Sequence, residues 1–194
     1  MGSTASKQRG FGTGIAADAA LLVVDMVNPF DFDGADALRG PALRAARNIR
    51  ALRERFDRAG APVVYVNDNF MQWQGEFRDL IASCLAEDAP GAAIARLLQP
   101  GPTHYYVLKP KHSGFHDTAL EILLRKLGVR RLAITGIATD SCIVATAQDA
   151  HMREFALWIP SDCTAAETPA RKRRALDLML DSFRASTRPA TRRR

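Results

Sequence analysis

The chain has 194 residues, 47% of them hydrophobic and 25% charged, with 13 Gly, 10 Pro and three cysteines, which excludes the disordered, collagen-like and coiled-coil classes and leaves one globular domain. A core of this size buries about 70% of the surface the unfolded chain exposes, so folding needs no disulfides or structural metal, and an odd cysteine count without Cys-x-x-Cys pairs points to a reducing cytoplasm. The net charge of +6 does not mark a specific nucleic-acid partner. Residues 171–194 alone hold nine basic and two acidic side chains, and no helix-turn-helix, zinc-finger or RNP-like run accompanies them.

Residues 1–17 read as a flexible leader, 18–184 as a single domain and 185–194 as a basic, disordered tail. No apolar run approaches the roughly 20 residues of a membrane helix, so no membrane association is expected. The first strand is predicted over Ala20–Val24 (ALLVV), followed by a long amphipathic helix over Asp36–Ala59 with Leu38, Leu43, Ile49, Leu52 and Phe56 on one face and Gly60 as its stop. Pro62–Val66 (PVVYV) is the next strand. An irregular stretch, Met71–Pro102, carries helical pieces near Phe77–Leu85 and Ala92–Leu98 and reads as a cover over one end of the sheet. Strands then follow at Tyr105–Leu108, Arg131–Thr135 and Ala156–Ile159, separated by helices at Thr118–Leu127 and Ser141–Arg153, with a last helix at Glu167–Phe183. Strand and helix alternate throughout, which predicts a three-layer α/β/α fold around a mostly parallel sheet of five or six strands.

In such sheets function gathers at the carboxyl ends of the strands. Asp25 follows the first strand, Lys109 the third, and Cys142 lies a short loop beyond the fourth, at the start of a helix. Right-handed crossovers put these strand ends on one edge. Taken singly, each residue has an ordinary reading as a turn residue, a solvated cation or a small buried hydrophobe. Together they make a nucleophile, a base and a cation. A helix start and an ammonium are expected to lower the thiol pKa, Asp25 to carry the proton, and loop N–H groups to meet a developing oxyanion.

The stretches LLVVDMVNPF, VLKPKHSGFHDTALEILLRKLGV and ITGIATDSCIVATAQDA resemble the isochorismatase-like cysteine hydrolases, the family of nicotinamidases and N-carbamoylsarcosine amidases, over roughly Ala20–Ala166. The resemblance implies Asp25, Lys109 and Cys142 as catalytic residues, a cis peptide between Ile137 and Ala138, an oxyanion hole from the N–H groups of Ala138 and Cys142, and a homo-oligomer, dimer or tetramer. The implied activity is hydrolysis of a C–N bond in a small amide or carbamoyl compound through a thioester. Vinyl ether hydrolysis of the isochorismatase type is the alternative.

Two departures stand out. Where nicotinamidases carry a metal-binding Asp-x-His, this chain reads Asn67-Asp68-Asn69-Phe70, and His104, His112, His116 and His151 show no ligand spacing, so neither metal nor cofactor is expected. Val27 also stands where the family often has Gln. Asp68, Asn69, Phe70 and Trp73 after the second strand, with Phe115 from the third-strand loop, are the candidate pocket residues for a small-molecule substrate. Cys84 and Cys163 read as structural. A receiver-like signalling or binding domain also places an Asp after its first strand and a Lys-Pro pair later. It needs further acids where Met26 and Lys109 stand.

Overall fold

The computed structural model describes residues 14–69, 74–86 and 88–191. Their order is β1 (Ala19–Val24), α1 (Ala35–Arg58), β2 (Val63–Asp68), α2 (Phe77–Leu85), α3 (Ala92–Leu97), β3 (Tyr105–Lys109), α4 (Leu120–Lys126), β4 (Arg131–Ile137), a π-helical turn (Thr139–Ile143), α5 (Val144–Met152), β5 (Ala156–Trp158), a short 3₁₀ turn (Ser161–Cys163), β6 (Thr164–Ala165) and α6 (Pro169–Phe183). All strand pairings are parallel, in the order β3-β2-β1-β4-β5, and β6 pairs with the far end of β4 beyond β5.

Every residue of β1 is fully buried because successive side chains point to opposite faces and helices cover both. Leu21 and Val23 pack with Leu38, Ile49, Leu52 and Phe56 of α1. Ala20, Leu22 and Val24 face Leu120 and Leu124 of α4, Ala147 and Ala150 of α5 and Met179 of α6. Helices α2 and α3 extend the α1 layer toward the β3 edge: Tyr65 donates to Leu98 O at 2.7 Å, and Phe77 stacks on Tyr106 at 5.0 Å.

The chain runs outward from β1 through β2 to β3 and then returns to place β4 on the other flank of β1. The crossovers diverge between β1 and β4, which opens a crevice at their carboxyl ends.

The segment after α6 corrects the sequence expectation of a disordered tail for the residues described, Ala185–Thr191. Ser186 pairs with Trp158, its N–H donating to Leu157 O at 2.9 Å and its carbonyl accepting from Ile159 N at 2.8 Å. Trp158 Nε1 donates to Arg188 O at 2.8 Å, and Asp162 accepts from the N–H groups of Ala190 and Thr191. Backbone pairing and a saturated carboxylate hold the segment despite its basic charge.

Candidate active site

At the β1/β4 divergence the backbones meet closely. Gly136, at φ +119°, lies so near β1 that a Cβ on it would stand 2.0 Å from Val24 O, so only glycine fits. One residue past β1, Asp25 adopts a left-handed conformation, φ +52°. That is a sparsely populated state for a side chain of this kind and is held by its surroundings: its N–H donates to Val66 O at 2.9 Å, and its Oδ1 accepts from Asp68 N at 2.7 Å. The Ile137–Ala138 peptide is cis. The chain then enters the π-helical turn, in which the N–H groups of Ser141 and Ile143 both reach Ala138 O at 3.1 Å.

Lys109, the last residue of β3, is completely buried. Its Nζ lies 2.9 Å from Asp25 Oδ2 and 3.3 Å from Asp68 Oδ2, and donates to Cys142 Sγ at 3.6 Å. A buried ammonium is tolerated only when paired, and here two carboxylates share it. Burial pulls the lysine toward neutrality, but Asp25, Cys142 and Asp68 outweigh it and hold Lys109 above its ordinary value. Burial raises Asp25 despite the opposing pull of Lys109 and of its hydrogen bonds.

Cys142 departs from the sequence expectation in two respects. It sits in a π-helical turn ahead of α5 rather than in the first turn of an α-helix. Its thiol is not lowered but pushed up to about 12, by burial first and by the Asp25 carboxylate second, against the weaker pull of Lys109. The resting sulfur is therefore a thiol beside a carboxylate of increased basicity, an arrangement suited to proton transfer during attack rather than to a standing thiolate.

The isochorismatase domain family matches residues 19–189. The chain belongs to the isochorismatase family. It is 38% identical over 163 residues to the isochorismatase family protein YaaI of Bacillus subtilis, covering 84% of this chain and 89% of that one. It is 31% identical over 191 residues to the ureidoacrylate amidohydrolase RutB of Methylorubrum extorquens, covering 82% and 75%. The crystal structure of N-carbamoylsarcosine amidase from Thermoplasma acidophilum superposes with a TM-score of 0.68 at 27% identity, over 91% of this chain and 98% of that one. The chain is thus an isochorismatase-family hydrolase, which removes the receiver-like alternative.

Around this isochorismatase-family core the pocket candidates divide. Asp68 joins the ion cluster directly, its side chain 38% exposed. Asn69 is half-buried just past β2. Phe70 and Trp73 lie outside the described residues. Phe115 corrects its expected role as a pocket wall: it is 5% exposed, 6.0 Å from the Phe155 ring with the Arg153 guanidinium over it at 5.0 Å, and belongs to the core beneath α4 and α5. Val27, in the position where the family often has Gln, is a core residue whose carbonyl accepts from Asn67 Nδ2 at 2.6 Å. Among the described residues no group of three or more His, Cys, Asp or Glu is arranged to hold a metal ion, and no helix is long and apolar enough to cross a membrane.

One residue escaped the sequence reading. His112, exposed in the β3–α4 connection, has its Nδ1 3.7 Å from Cys142 Sγ and 3.3 Å from Ser141 Oγ. In the sequence it stands only among four histidines without metal-ligand spacing. Its position three residues beyond Lys109, in a loop leaving a strand end, was the available signal.

Proposed function

We propose that the protein hydrolyses the C–N bond of a small amide or carbamoyl-type compound through a thioester on Cys142. The observation that carries this is a single buried ammonium, Lys109 Nζ, in contact with both Asp25 at 2.9 Å and Cys142 Sγ at 3.6 Å. The named activities of RutB and N-carbamoylsarcosine amidase, both on substrates with such bonds, support it. Sγ attacks the carbonyl carbon as its proton passes to Asp25, and the oxygen takes up the electron pair facing the N–H groups of Ala138 and Cys142. As the C–N bond breaks, Asp25 returns the proton to the departing nitrogen, leaving a thioester. Water then gives a proton to Asp25 and attacks; the C–S bond breaks and the sulfur recovers its proton. Lys109 keeps Asp25 oriented throughout. Asp68, half-exposed beside it, has acceptor capacity for a substrate N–H. Vinyl ether cleavage needs an acid but no thiol, so the placement of Cys142 beside Asp25 and Lys109 favours the C–N reaction.

The test is an ammonia-release screen over small amides, ureas and carbamoyl compounds with the wild type and Cys142→Ala. Release by the wild type and its loss in the variant support the reading. A hydrolysed compound on which Cys142→Ala keeps full activity overturns the thioester.

A further inference from the structure

We propose that Arg171, in the first turn of α6, is a positioning residue for the nucleophile: it clamps Asp140 and so holds the turn that carries Cys142 and the N–H groups facing the oxyanion. This rests on Cys142 being the nucleophile but assigns a residue outside the Asp25, Lys109 and Cys142 group. The Arg171 guanidinium forks between two acids, Nε donating to Asp140 Oδ2 at 2.5 Å and Nη1 to Glu167 Oε2. Its backbone N–H donates to the capping Thr168 Oγ1 at 3.2 Å, so the clamp stands on a fixed helix start.

An exposed ion pair would do little, and three observations set this one apart. Asp140 stands two residues before Cys142 in the π-helical turn, an uncommon geometry in which the Ser141 and Ile143 N–H groups share one acceptor, Ala138 O. The Asp140 side chain is only 17% exposed, and its Oδ1 is buried with no hydrogen-bond partner among the described residues. Arg171 therefore supplies the hold on that carboxylate, and a buried acid that lost it would draw the turn toward water. Glu167 Oε1, in turn, packs on the start of α1, where a Cβ on Gly34 would stand 3.3 Å from it. Asp140, Arg171 and Glu167 thus bridge the connection leaving β4, which carries Cys142, and the connection leaving β1, which begins at Asp25. One side chain serves both acids because the guanidinium is a planar fork; a lysine ammonium is a point charge and fixes the direction of neither.

Two measurements on the full-length protein test this. On a compound hydrolysed in the ammonia-release screen, Arg171→Gln is expected to lower kcat about tenfold to a hundredfold, the cost of misplacing reacting groups by up to about 1 Å, with KM little changed. Arg171→Lys recovers only part of the loss. Asp140→Asn gives a loss of similar size, and the double variant loses no more than either single, because both act through one contact. The second measurement needs no substrate. Burial is what mainly pushes the Cys142 thiol up to about 12, so a released turn returns the sulfur to water. Alkylation of Cys142 by iodoacetamide, located by peptide mass spectrometry, is then faster in Arg171→Gln by about tenfold for each pKa unit recovered. Cys84 and Cys163, fully buried, stay silent. Wild-type kcat and wild-type alkylation in Arg171→Gln overturn the proposal, and so does alkylation of all three cysteines together, which marks opening of the whole fold. The two readings fail separately. A wild type that releases no ammonia from any compound, with Cys142 alone opened in Arg171→Gln, sinks only the amidase reading. A dead Cys142→Ala beside an Arg171→Gln with wild-type kcat and alkylation sinks only this one.

Discussion

Among the described residues cysteine, aspartate and lysine come together around Cys142 and around Cys163, and the two clusters differ in what the charged groups bond to. At Cys163 the aspartate is its neighbour Asp162, whose carboxylate accepts from Ala190 N at 2.7 Å, Thr191 N at 2.9 Å and the Thr191 hydroxyl at 2.5 Å. Burial would raise Asp162, but these bonds outweigh it and hold it below the usual carboxylate range. Lys172 turns its ammonium to Thr164 O at 2.7 Å, and burial lowers it. At Cys142 the directions reverse: both Asp25 and Lys109 are raised. A carboxylate saturated by N–H donors is a poor base and a good latch. One that is buried and shares its single cation with a second acid is a better base. The same three residue types therefore give a structural tie in one place and a reactive group in the other.

The comparison breaks most visibly at the sulfurs. Cys142→Ser is expected to lower kcat/KM by at least about a thousandfold, as removal of a nucleophile does, with the melting temperature little changed. Cys163→Ser, at a fully buried site, is expected to lower the melting temperature and leave turnover in place. Steady-state rates and thermal melts on one hydrolysed compound distinguish them. If folded Cys163→Ser loses activity as Cys142→Ser does, the two clusters are not separate in function.

The lysines give the next contrast. Lys109→Met leaves the buried Asp25 carboxylate without its cation and beside the half-exposed Asp68, and removal of one partner of a buried ion pair costs about 3–5 kcal/mol. Lys172→Met removes one hydrogen bond and a charge that burial disfavours, and is expected to cost at most about 1 kcal/mol. Urea unfolding at neutral pH reads both. Equal losses would mean that sharing by Asp25 and Asp68 does not set Lys109 apart.

These contrasts also mark where sequence reading succeeds. The central strands were legible because a parallel strand covered on both faces is a continuous apolar run, as ALLVV of β1 is, and the edge strand β3, with Tyr105 and Tyr106 exposed, through its aromatic and β-branched residues. The two residues of β6, Thr164–Ala165, carry no period and passed unseen. Asp25, Lys109 and Cys142 were legible as strand-end residues, and their approach follows from the β1/β4 divergence. The thiol pKa was not legible, because its sign depends on how deeply Asp25 and the sulfur are buried, which spacing does not reveal. Asp68 was marked as a pocket residue, whereas its part in the Lys109 ion cluster depends on the β2–β3 register, which sets it beside that lysine. The segment from Ala185 looked disordered because its anchors are backbone bonds to Leu157 and Ile159 and a carboxylate far away in sequence.

That last segment supplies the smallest expected effect. Asp162 has a folded pKa below its unfolded value near 3.9, so the unfolded chain binds more protons there on acidification. Its contribution is complete above about pH 4 and is lost as pH falls through the folded value. Asp25, raised by burial, has the opposite sign: its ionised form disfavours the fold, and acid relieves that cost. Asp162→Asn is therefore expected to lower stability by about 1 kcal/mol at pH 7, a charge-assisted bond at a half-buried site. The difference from wild type should close as urea titrations move toward pH 3. Trypsin should cut the variant faster at Arg184, because the Ala190 and Thr191 N–H groups lose their anion, while turnover at Cys142 is unchanged. If the stability difference is as large at pH 3 as at pH 7, the negative charge of Asp162 is not what holds the segment, and the latch at Cys163 must be assigned to Trp158 and the Ser186 pairing instead.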